Sequence, residues 1–116
     1  MTWESVFPIA RRKNAAVIEV TGDLDIANAG QFEAAFERAL TGDPQHVVIS
    51  LVGATYFDSI GVHSLLRFAE RLKTTRRRLS IVAPAGTTSR RVLEIAGVAT
   101  AYPMFESIEL AIASLA

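Results

Sequence analysis

The stretch of this sequence best suited to chemistry is Asp58-Ser59-Ile60-Gly61, which follows an apolar run and opens a helix-periodic one. A hydroxyl and several backbone N–H groups at the start of a helix meet the positive end of its dipole, so a phosphoryl group there would be stabilised. The plainer role is capping, in which Asp58 or Ser59 satisfies the first free N–H groups and contributes about 1 kcal/mol. Ser59 lies in no Gly-x-Ser-x-Gly elbow and has no base paired with it, which argues against nucleophilic catalysis. The chain also lacks a Gly-x-x-x-x-Gly-Lys-Ser/Thr loop and a Gly-x-Gly-x-x-Gly fingerprint. It is therefore expected to accept phosphate rather than transfer it, with no catalytic residue and no cofactor. Asp23 and Asp25 form a second polar group before the first helix, suited to turn chemistry and to capping at Asp25 ahead of Ile26.

Composition narrows the field further. The 116 residues carry 12 Lys+Arg against 12 Asp+Glu, no Cys and 50% hydrophobic residues, which describes one domain, 1–116, with a core of its own. Zero cysteines exclude thiol chemistry and thiolate metal sites, and His46 and His63 alone offer no metal-ligand spacing. Zero formal charge removes long-range attraction to nucleic acid or an anionic membrane. Arg76-Arg77-Arg78 is short and reads as a solvated connection. The Met1 to Ser5 segment has neither the basic nor the apolar part of a secretory signal, and no apolar run is long enough for a bilayer, so a cytoplasmic protein is expected; modest size and neutral charge favour a monomer.

The elements that must position these residues follow from periodicity. Ala15 to Thr21 is β-branched and ends at Gly22-Asp23, a strand before a turn; Trp3 to Ile9 is a weaker strand whose Pro8 suits an edge, joined through polar Arg11 to Asn14. Ile26, Ala29, Phe32, Ala35, Phe36, Ala39 and Leu40 predict an amphipathic helix over 26–40. His46 to Val52 is a nearly continuous apolar strand of the kind buried on both faces. Further elements are a helix over 60–73, a strand over 79–83, a helix over 87–96 closed by Gly97, a strand over 101–105 and a helix over 107–115. Thr87 or Thr88 would cap the third helix, whose start is expected near that of the Ser59 helix. Phe32, Phe36, Phe57 and Phe68 fall at core positions. The order β-β-α-β-α-β-α-β-α predicts an α/β fold, a mixed sheet of about five strands with four helices packed against it.

These residues resemble the STAS domain, and in particular stand-alone bacterial anti-sigma-factor antagonists. The likeness rests on Thr21-Gly22-Asp23-Leu24-Asp25, on Val47 to Leu51 leading through Phe57 into Asp58-Ser59-Ile60-Gly61, and on Arg91 to Val98, in that order along nearly the whole chain. It implies a partner switch. The unphosphorylated protein would bind an anti-sigma factor that is also a GHKL-type serine kinase, freeing the sigma factor. The kinase would then phosphorylate Ser59 and the pair would separate, and a metal-dependent Ser/Thr phosphatase would reset it. On this resemblance the docking residues are Asp23, Asp25, Asp58, Ser59, Ile60, Gly61, Val62 and His63. Two positions depart from the family pattern: Ile60 replaces a common Ser or Thr, and His63 places a ring where a Gly is usual, on the first turn of the docking helix. Two other readings compete. One is a constitutive STAS interaction subunit of a transporter or signalling scaffold, with Ser59 only a helix cap. The other is a small nucleotide-binding or weakly hydrolytic domain, against which the missing phosphate loop counts.

Overall fold

The computed structural model describes residues 7–24 and 27–115. Alternating strand and helix periodicities fold into β1 (Ile9–Arg12), β2 (Ala15–Leu24), α1 (Ala29–Leu40), β3 (His46–Phe57), α2 (Ser59–Thr74), β4 (Arg78–Val82), α3 (Thr88–Ile95), α4 (Val98–Ala101), β5 (Met104–Phe105) and α5 (Ile108–Ala113). The five strands lie in sequence order in one sheet. β1 runs antiparallel to β2 and the remaining pairs are parallel, so the sheet is mixed as expected.

The core follows from strand alternation. Ala16, Ile18, Val20, Val47, Ile49 and Leu51 point to one face, where Phe32 and Phe36 of α1, Leu65, Phe68 and Leu72 of α2, and Leu93 of α3 cover them. Phe7, Phe32, Phe36 and Phe68 form a continuous ring series with centroids 5.4, 4.4 and 3.7 Å apart. Ala15, Val17, Val48 and Val82 point to the other face, beneath Ala111 and Ile112 of α5. The four phenylalanines assigned to the core, Phe57 included, are all buried.

Several boundaries differ from expectation for identifiable reasons. The first strand is Ile9–Arg12 and not 3–9; residues 3–6 lie outside the described residues. Arg11 belongs to the strand because its guanidinium donates to the carbonyls of Ala39 (2.7 Å) and Arg38 (2.8 Å), capping the last turn of α1 from the edge of the sheet. The connection shrinks to Lys13-Asn14, with Lys13 at φ +53°. The first helix starts at Ala29; Asp25 and Ile26, where its start and cap were expected, lie outside the described residues. A fifth helix, α4, forms over residues 98–101, of which only Ala101 belongs to the expected last strand, and that strand contracts to Met104–Phe105. Gly97 at φ +79° ends α3 as expected and at once starts this extra turn.

The largest difference bears on function. β2 continues through Gly22 (φ +75°) to Leu24, and β3 continues through Gly53 to Phe57, although neither extension carries a strand-like apolar pattern. They pair with each other from Ala15↔His46 to Leu24↔Phe57, so the 10 residues of β2 face the 12 of β3 and β3 holds two extra residues. The surplus is taken up at two register shifts, between Glu19 and Thr21 and between Gly22 and Asp23.

Candidate functional site

β3 delivers the chain directly into α2. Phe57 is buried, Asp58 turns the backbone, and Ser59 begins the helix. Asp58 is the N-cap: its extended backbone (φ −114°, ψ −166°) lets Oδ1 accept from the N–H of Ile60 at 3.0 Å and of Gly61 at 3.3 Å. Its carbonyl oxygen accepts from Val62 N–H at 3.0 Å, closing the first turn. Capping is therefore done by Asp58, and Ser59 occupies the first helical position with an exposed side chain. A hydroxyl there stands at the positive end of a 16-residue helix.

Gly61 has a definite task. A methyl group at this position would lie 2.8 Å from Phe57 Cε1, 2.9 Å from Phe57 Cδ1 and 3.2 Å from Leu24 Cδ2. Absence of a side chain lets the first turn of α2 press onto the paired ends of β2 and β3. Gly61 and Val62 are both buried, so they set the height of the turn, whereas Ser59 and His63 are exposed and Ile60 is half-buried.

Asp23 reaches the same edge from β2. Its register partner is Tyr56, two residues before Asp58. It is exposed, its carboxylate Oδ1 accepts from Thr55 Oγ1 at 2.8 Å, and its carbonyl accepts from Asn28 Nδ2 at 2.6 Å. Of the residues singled out from the sequence, the structure gathers Asp23, Asp58, Ser59, Ile60 and His63 at the carboxyl end of the parallel strands; Asp25 falls outside the described residues. Openings at the carboxyl ends of parallel strands are the usual site of function in α/β sheets. Thr55 and Asn28 escaped sequence reasoning. The only hint was the break in apolar character at Gly53-Ala54-Thr55, which marks a bulge better than it marks a strand end.

α3 opens at the same end of the sheet. Thr87 caps it, accepting from Arg90 N–H at 3.2 Å, and Arg90 in turn donates to Ala83 O at 2.9 Å and pairs with Glu94 (3.1 Å) and Glu106 (3.6 Å). This arginine is already committed within the fold. Among the described residues no group of His, Asp or Glu is placed to hold a metal ion, and no helix is long and apolar enough to cross a membrane.

Comparison with known proteins agrees with this architecture. The family model for the STAS domain matches residues 7–111. A curated relative, the anti-sigma-F factor antagonist RsfB of Mycobacterium tuberculosis, is 23% identical over 100 residues, 86% of this chain and 80% of that protein. Among solved structures, an anti-sigma factor antagonist from Mycobacterium paratuberculosis superposes with a TM-score of 0.83 at 22% identity, covering 93% of this chain and 91% of that one. The Bacillus cell fate determinant SpoIIAA in its phosphorylated form gives 0.74 at 23% identity, covering 95% and 99%.

Proposed function

The chain belongs to the STAS domain family, and from that premise we propose that it is an anti-sigma factor antagonist switched by phosphorylation at Ser59. Unphosphorylated, it binds an anti-sigma factor that is a GHKL-type serine kinase and frees the sigma factor. Phosphorylated on Ser59, it is released, and a metal-dependent Ser/Thr phosphatase returns it to the binding state. It works as a monomer in the cytoplasm, as a substrate and regulator and not as an enzyme. The names of the curated relative and of the solved neighbours, one of them a phosphorylated form, support the regulatory class.

The observation that carries the reading is the division of labour at the start of α2. Asp58 does the capping, so the exposed Ser59 hydroxyl is not needed to hold the helix and is free to be modified. In a constitutive subunit the Ser59 hydroxyl would have no task, since Asp58 already caps the helix. Phosphorylation adds about −1.5 to −2 charges beside Asp58 and near Asp23, and this concentration of negative charge opposes redocking of a surface that fits the uncharged serine. Within the chain the helix dipole, equivalent to roughly half a positive charge at this end, offsets part of the repulsion, so release needs no refolding.

Incubating the purified chain with the candidate kinase and γ-labelled ATP tests the modification. Label is expected on wild type and absent from Ser59→Ala; label retained by Ser59→Ala on another residue would overturn the assignment.

A further inference from the structure

Asp23 is exposed near the end of a strand, yet it is held at two points. Asn28 Nδ2 donates to its carbonyl at 2.6 Å, and Thr55 Oγ1 donates to its carboxylate from across the sheet at 2.8 Å. The second bond exists because of the irregular pairing. Register passes from Gly22↔Ala54 to Asp23↔Tyr56, so Thr55 is the extra residue of a bulge. A bulge bends its strand and re-aims a side chain out of strict alternation. Thr55 is exposed and adds nothing to the core, so its placement is not explained by packing.

We propose that Thr55 is a positioning residue for the docking face. Its hydroxyl holds the Asp23 carboxylate in one orientation before the partner arrives. A carboxylate offers about four acceptor sites, so one bond from Thr55 leaves capacity for donors of the partner. Without the hydroxyl, Asp23 would be ordered only on binding. Immobilising one such side chain corresponds to a roughly three- to tenfold weaker complex. The inference rests on the reading that the surface around Ser59 docks an anti-sigma kinase.

The test compares full-length wild type with Thr55→Val, which keeps the β-branched shape and removes the hydroxyl, and Thr55→Ser, which restores it. In the absence of any partner, the Asp23 carboxyl carbon resonance and the exchange rates of the Leu24 and Asn28 amides are followed by NMR. Thr55→Val is expected to move the resonance and speed the exchange, and Thr55→Ser to return both, with one melting temperature for all three proteins. Resonance and exchange unchanged in Thr55→Val would overturn the proposal whatever the partner. Titration with the purified kinase that phosphorylates Ser59 then reads affinity. Thr55→Val should bind three- to tenfold more weakly, with no further loss when added to Asp23→Ala, which leaves no acceptor for the hydroxyl. Equal affinity for wild type and Thr55→Val also overturns it. Failure of wild type to bind any such kinase instead refutes the docking reading, and shows on the unmutated protein.

Discussion

Asp58 and Ser59 are neighbours with different work to do. Asp58 satisfies two N–H groups of α2 that have no partner within the helix, so Asp58→Ala is expected to cost about 0.5–2 kcal/mol of unfolding free energy. Ser59→Ala removes an exposed hydroxyl from the next position and should stay within about 0.5 kcal/mol of wild type. Urea denaturation of the two variants side by side measures the difference. If the two losses were equal, or Ser59→Ala the larger, the assignment of capping to Asp58 would be wrong. The sequence allowed either residue to cap, because both types accept from backbone N–H groups; backbone geometry at Asp58 decides it. The roles of Thr55 and Asn28 were not legible beyond the break in apolar character at Gly53-Ala54-Thr55, since their bonds to Asp23 depend on a bulge and on the entry to α1.

At the scale of elements, the way α2 seats on the sheet is the decisive feature. Phe57 and Leu24 rise from adjacent strand ends directly under Gly61, and the helix approaches as closely as backbone alone permits. Gly61→Ala gains helix propensity yet must displace the Phe57 ring, and overpacking of this kind costs about 1–3 kcal/mol. Chemical denaturation of Gly61→Ala should therefore show net destabilisation. A stabilised variant would mean that the first turn has room to spare. The alternation of strands and helices could be read from the apolar residues, because His46 to Leu51 is a short, nearly continuous apolar run and the Phe32/Phe36 stripe has a helical period. The distal halves of β2 and β3 could not. Their Gly22, Gly53 and Thr55 break the period, and among the described residues it is their pairing with each other that keeps them extended. For α4 the same limit applied: four residues after a left-handed Gly97 give too short a pattern to tell a helical turn from a strand.

For the whole molecule, His46 and Glu37 couple stability to pH. His46, at the start of β3, has its Nδ1 buried with no hydrogen-bond partner among the described residues. Burial, and then the charge of Arg78, lower its pKa from the ordinary 6.5. The folded state thus prefers neutral His46, and the unfolded chain binds the extra proton. Stability is fully present above pH 6.5, falls as pH drops below that value, and levels off beneath the folded-state pKa. Glu37 of α1 is also lowered from its ordinary 4.5, first by its hydrogen bond from Arg71 of α2; its contribution has the same sign in a more acidic window. Melting temperatures between pH 8 and 5.5 should decline for wild type and much less for His46→Asn. A flat wild-type profile would contradict the burial of a neutral ring.

A chain of zero formal charge built on one five-stranded sheet suits the proposed switch, in which phosphorylation of Ser59 changes surface charge without changing fold. The most direct test presents Ser59→Ala and Ser59→Asp as paired baits to a lysate of the source organism, with retained proteins identified by mass spectrometry. A GHKL-type kinase held by Ser59→Ala and lost from Ser59→Asp is the predicted result; the same partner held equally by both would contradict the phosphorylation switch.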